Sequence, residues 1–213
     1  PAGLDRDFAC LGEPIGCAIY SGLTCGTQLG DVVVVYGVGF AGQIIAQAAK
    51  RKGAYRVVAI DLADGKLDLA KRLGCDVVIN PRREDPVQTV LELTGGRGAD
   101  VVVEAAGSEQ SMNQASAMLK QNGILALYSW ITQPVTLNLS RWHDDGFDIR
   151  STCLVHHTPE ERKVWTPWAL RPVLQGMVNI RPLITHEFPL DRIADAFRAA
   201  DTDATAIKVV VRN

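Results

Sequence analysis

Residues 31–43 read DVVVVYGVGFAGQ, a run of four valines that passes straight into a turn carrying Gly37, Gly39 and Gly42. A continuous β-branched run this short suits a strand covered on both faces, the situation of a parallel sheet with helices on either side. Behind it, FAGQIIAQAAKRKG has the composition of a helix of about three turns, with basic residues near its end and Gly53 placed to stop it. In a strand–turn–helix unit each glycine has a physical task. Gly37 allows the tight turn, Gly39 lets the backbone approach a pyrophosphate, and Gly42 lets helix and strand pack closely. The helix N-terminus presents N–H groups and the positive end of its dipole to that anion.

A glycine triplet alone is weak support, because many strand-to-helix turns match it. Here the next strand, YRVVAID, ends in Asp61, nineteen positions past Gly42, where a carboxylate can accept both hydroxyls of an adenosine ribose. Its negative charge repels a 2′-phosphate and no arginine follows it directly, so NAD is expected over NADP. Lys66 reads either as a further nucleotide contact or as a solvated surface residue.

The alternation continues along the chain. KLDLAKRLG is an amphipathic helix, DVVIN a strand, PVQTVLELTG a helix and ADVVVEAAG a strand. SMNQASAMLKQNG is then expected as a helix closed by Gly123, ILALYSW as a strand and FDIRSTCLV as a final apolar strand. The fold class is therefore α/β, a doubly wound parallel (Rossmann) sheet of about six strands. Towards the start, CAIYSGLTC reads as a helix delivering the chain into the first strand. Past residue 158, TPEERKVW opens with a capping box and Pro at N1. A Pro-interrupted helical stretch follows, then HEFPL, DRIADAFRAAD and AIKVVV as strand, helix and strand. All four tryptophans lie in the second half, suited to core packing, a pocket wall or a subunit contact.

Composition narrows the function. With 213 residues and 47% hydrophobic content the chain can bury a full core, and a net charge of −2 offers no basic field for nucleic acid. No secretory or lipidation motif and no membrane-length apolar run is apparent, so a soluble, cytoplasmic protein is the expectation. The five cysteines are scattered without a CxxC pair, which argues against a disulfide framework and a self-contained zinc site. In CLVHH (153–157) adjacent histidines point in different directions, and His143 and His186 stand alone.

The succession EPIGCAIYSG, GDVVVVYGVGFAGQIIAQAAKRKGA, VVAIDL, KLDLAKRLGCDVVIN, ADVVVEAAG and RPLITHEFPLDRIADAF resembles the medium-chain dehydrogenase/reductase family, and within it the zinc-dependent polyol, threonine and alcohol dehydrogenases. The resemblance implies that residues 1–25 are a lead-in segment and helix from a catalytic domain mostly absent here. It makes 26–157 the NAD-binding domain and 158–213 the segment returning to the catalytic domain. It also implies NAD as cofactor, with zinc in the full-length protein and an alcohol or polyol as substrate. Phe40, Ala41, Ala105, Gly107 and Tyr128 would join Gly37, Gly39, Gly42, Asp61 and Lys66 along the cofactor. Glu13 of the "EP" pair would be a zinc-facing, catalytic carboxylate; it reads equally as an acid favoured by a helix dipole. Cys17, one turn later, would face the nicotinamide or simply pack. A homo-oligomer through the late strand, residues 147–155, is expected as well.

Three functions remain open on this reading. The first is an NAD-dependent alcohol or polyol dehydrogenase, to which this chain contributes mainly cofactor binding, so that alone it is expected to bind NADH without turning over alcohols. The second is an S-adenosylmethionine-dependent methyltransferase, whose usual fold closes with an antiparallel strand pair. The third is a nucleotide-binding module without catalysis.

Overall fold

The computed structural model describes Phe8, residues 10–153 and residues 158–212, except for the Arg162 side chain. The valine run forms β1 (Val32–Tyr36), and all five of its residues are buried. Val33 and Val35 face one apolar cluster with Ile15, Ile44 and Ile45; Val32, Val34 and Tyr36 face another with Met118 and Leu119. Strand geometry sends alternate side chains to opposite faces, and the uninterrupted apolar run follows from helices covering both. Fully burying one such valine contributes about 1.5–3 kcal/mol.

Chain order supplies α1 (Gly12–Thr24) before β1, then α2 (Phe40–Arg51), β2 (Arg56–Ile60), α3 (Asp64–Arg72), β3 (Val77–Ile79), α4 (Pro86–Leu93), β4 (Ala99–Glu104), α5 (Glu109–Ala117), β5 (Leu119–Leu127) and β6 (Asp148–Ser151). These six strands form one sheet in the order β3-β2-β1-β4-β5-β6. Every pairing is parallel. This is the doubly wound dinucleotide-binding order, and the chain reverses direction across the sheet between β1 and β4. Among the described residues no antiparallel pair closes the sheet, unlike the closure expected of a methyltransferase. Two carboxylates fasten the strand starts: Asp100 accepts from Val32 N–H at 2.8 Å and Asp76 from Val57 N–H at 2.7 Å.

The helix expected to run to Gly123 ends at Ala117, and Leu119–Leu127 is a single strand. Met118 and Leu119 are fully buried against the sheet, and the register with β4 shifts between Ala99 and Val101. Asn122, with φ 55°, takes up the local kink. Tertiary burial thus outweighs the helical pattern of SMNQASAMLKQ. The expected late strand 147–155 is shorter and less apolar: β6 spans Asp148–Ser151, mostly exposed at the edge of the sheet, and 154–157 lie outside the described residues.

Beyond β6, Thr158 and Glu161 form the expected capping box with Pro159 at N1 of α6 (Pro159–Ala169). The short α7 (Arg171–Leu174) follows. Trp165 packs edge-on against both Tyr20 and Trp168, at 5.0 and 5.1 Å, and so joins α6 to α1. Then β7 (Ile184–Pro189), α8 (Ile193–Thr202) and β8 (Lys208–Arg212) make a second small unit in which β7 and β8 pair in parallel.

Candidate functional site

At the carboxyl ends of the strands, where β1 meets both β2 and β4, the sheet opens into a cleft of 280 Å³. Its walls include Tyr36, Gly37, Gly39, Asp61, Lys66 and Ala105. Three strand ends are laced together beneath it: Gly37 N–H donates to Ile60 O, and Ala105 N–H to Tyr36 O, both at 2.8 Å.

The three glycines differ in what surrounds them. Gly37 has φ +91°, and a Cβ there would lie 2.7 Å from the Ala105 and Ala106 backbone. At Gly42 a Cβ would stand 2.0 Å from the Gly37 carbonyl oxygen, so α2 approaches the turn as closely as only glycine permits. Gly39, the N-cap of α2, would meet nothing within 4 Å, and no side chain caps the helix. Open space therefore lies beside Gly39 at the start of α2. Phe40 and Ala41 form the first turn of α2, with the Lys208 ammonium 5.0 Å above the Phe40 ring.

Asp61 is oriented before any ligand arrives. One carboxylate oxygen accepts from Val38 N–H and the other from Ala63 N–H, each at 3.0 Å. Each oxygen keeps lone-pair capacity towards the cleft. Tyr36 donates its hydroxyl to Gln114 Oε1 at 2.6 Å. Burial, reinforced by the charges of Glu104 and Asp61, pushes the Tyr36 phenol up to about 12, so it stays a neutral donor.

A second, larger cleft of 520 Å³ opens beyond β5, lined by Leu127, Tyr128, Ser129, Trp130, Ser151 and Cys153 among others. Its lining is mainly apolar, and Trp130 is 80% exposed. Glu13 and Cys17 do not line the cleft between β1 and β4; they lie one turn apart on α1, where Cys17 Sγ donates to Glu13 Oε1 at 3.1 Å. Burial raises the Tyr128 phenol above its ordinary range, and Cys17 and Glu13 add to the shift, which sets all three in one neighbourhood. Among the described residues no group of three or more His, Cys, Asp or Glu could hold a metal ion. His156 and His157 of CLVHH lie outside the described residues.

Glu104 belongs to no site motif legible in the sequence. It is fully buried at the end of β4 and sits between the two clefts. Its only signal was a carboxylate closing the apolar run VVV.

Residues 41–169 match the family model of the zinc-binding dehydrogenases. The chain belongs to that family. It is 34% identical, over 92% of its length, to an L-threonine 3-dehydrogenase of Bacillus licheniformis, and 32% identical over 92% to one of Bacillus subtilis. The match covers 56% and 55% of those proteins, so the chain spans little more than half the length of the curated relatives it matches. All of it superimposes on 60% of an alcohol dehydrogenase from a Thermus species, with TM-score 0.87 and 26% identity. It also superimposes on 59% of an L-idonate 5-dehydrogenase from Escherichia coli, with TM-score 0.86 and 25% identity.

Proposed function

We propose that this chain binds NAD in the cleft between β1 and β4 and forms the cofactor-binding part of an alcohol or polyol dehydrogenase. The observation that carries the reading is the Asp61 carboxylate, held by two backbone amides and facing the same cleft as Gly37 and Gly39. On this reading Asp61 accepts the adenosine ribose hydroxyls, with Lys66 beside it, and its charge excludes a 2′-phosphate. The amides of Phe40, Ala41 and Gly42 at the uncapped start of α2 hold the pyrophosphate, which approaches through the space beside Gly39. Ala105 and Gly107 follow the cofactor towards the larger cleft. Tyr128 and Cys17 border its nicotinamide end. When bound, NAD supplies the hydride acceptor for alcohol oxidation.

The described residues do not make a complete zinc site, since a catalytic zinc takes three protein ligands and Glu13 is a single carboxylate. On this reading Glu13 is a metal-facing carboxylate whose companion ligands come from elsewhere. Self-association through the edge strand β6 belongs to the same reading, because an unpaired edge with Ile149 at its surface invites a second copy. So does a cytoplasmic location; among the described residues no helix is long and apolar enough to cross a membrane.

The test is cofactor discrimination. NADH is expected to bind at least about tenfold more tightly than NADPH, and Asp61→Ala to narrow that gap by weakening NADH. Equal affinities in the unmutated chain would remove the basis for assigning NAD.

A further inference from the structure

Glu104 is a buried carboxylate with no Lys or Arg pairing it among the described residues, and such a charge is costly unless its oxygens are hydrogen-bonded. They are. Oε1 accepts from Ala106 N–H at 2.9 Å, Gly107 N–H at 2.8 Å and the Ser111 hydroxyl at 2.7 Å. Oε2 accepts from the Ser129 hydroxyl. The main-chain carbonyl of Glu104 accepts in addition from Tyr128 N–H at 3.0 Å and Ser129 N–H at 3.2 Å.

These bonds run to two different walls. Ala106 and Ser108 line the nucleotide cleft, and Ser111 reaches back to accept from Ser108 N–H at 3.0 Å, so the 105–108 loop and the first turn of α5 hang on Oε1. Tyr128 and Ser129 line the apolar cleft and hang on Oε2 and the carbonyl. The two walls also touch, because a Cβ on Gly107, whose φ is +77°, would lie 3.4 Å from Ser129 Cβ.

We infer that Glu104 is a positioning residue that ties the nucleotide cleft to the apolar cleft, setting the wall along which a dinucleotide passes from one to the other. The inference rests on the cofactor reading above, although the tie itself can be tested without ligand. It acts through the two loops rather than by touching the cofactor.

Hydrogen–deuterium exchange on the ligand-free chain is the first measurement. Glu104→Ala is expected to speed exchange at both 106–108 and 128–130 by about tenfold or more, with the strands of the sheet unchanged. Glu104→Gln should restore protection to within about threefold, since its amide oxygen can take the Oε1 bonds and its amide N–H can donate to the Ser129 oxygen. Ser129→Ala, a milder change should Glu104→Ala fail to fold, is expected to free 128–130 and leave 106–108 protected. NADH affinity is the second measurement, with about a tenfold loss expected in Glu104→Ala and recovery in Glu104→Gln. Loosening of only one loop in Glu104→Ala, uniform loosening of the whole chain, failure of Glu104→Gln to rescue, or loosened loops with undiminished NADH affinity would each overturn the inference. Absence of NADH binding in the unmutated chain would instead defeat the cofactor reading, and exchange would still decide whether Glu104 ties the walls.

Discussion

Gly39→Ala separates binding from stability in a way the geometry makes quantitative. Gly39 has φ −69° and ψ −159°, an extended conformation open to any residue, and its added methyl meets no atom within 4 Å. Two small terms then act on the fold. Replacing glycine by alanine at an N-cap costs about 0.5–1 kcal/mol, while the reduced freedom of the unfolded chain returns about 0.4–1 kcal/mol. They nearly cancel, so Tm is expected to move by no more than about 2–4 °C. The methyl nevertheless occupies the space assigned to the pyrophosphate. Displacing that group from the amides of α2 is expected to cost at least about 1.4 kcal/mol, a tenfold loss of NADH affinity. Thermal unfolding monitored by circular dichroism and titration by nicotinamide fluorescence read the two quantities on the same sample. Unchanged NADH affinity in a folded Gly39→Ala chain would refute the placement of the pyrophosphate.

Gly42→Ala should behave oppositely, because its Cβ would lie 2.0 Å from the Gly37 oxygen; thermal unfolding is expected to show a loss of about 1–3 kcal/mol, with NADH binding falling alongside. Asp100 gives a pH prediction. Burial would raise its carboxyl, but hydrogen bonds from Arg97, Lys120 and Val32 N–H prevail and hold it well below the ordinary carboxylate range. A folded-state pKa below the unfolded one gives stability that is present above about pH 4 and lost as pH falls further. Asp100→Asn should therefore cost about 1–3 kcal/mol at neutral pH, and the difference from the unmutated chain should shrink in acid denaturation below about pH 4. For the edge strand, light scattering is expected to show a dimer or larger assembly that Ile149→Lys weakens, and a monomer at high concentration would contradict the β6 proposal.

Much of this architecture is legible in the residues for identifiable reasons. The β-branched runs of β1, β2 and β4 are buried on both faces and so announce themselves without any alternation to decode. The Gly37–Gly42 turn is legible because each glycine answers to a backbone constraint rather than to a preference. The passage from α5 to β5 is not, since Met118 and Leu119 satisfy a helical pattern as well as a strand one and only burial on the sheet decides between them. FDIRSTCLV suggests an apolar strand, yet in β6 Asp148 and Arg150 form an ion pair along an exposed edge. Glu104 is not legible for a further reason. Besides the neighbouring amides of Ala106 and Gly107 it takes the hydroxyls of Ser111 and Ser129, seven and 25 positions away, and it is this distant partnership that makes the carboxylate the meeting point of two loops. Glu13 and Cys17, by contrast, are one helical turn apart and their contact follows from spacing alone.

The most direct test of the central claim is calorimetric titration of the unmutated chain with NADH and, separately, with S-adenosylmethionine. Both ligands carry an adenosine whose ribose hydroxyls Asp61 could accept, but only NADH carries a pyrophosphate for the space beside Gly39. The account predicts one NADH bound per chain, with a dissociation constant in the range of about 1–100 μM, and no saturable S-adenosylmethionine binding. Saturable binding of S-adenosylmethionine, with none of NADH, would contradict it.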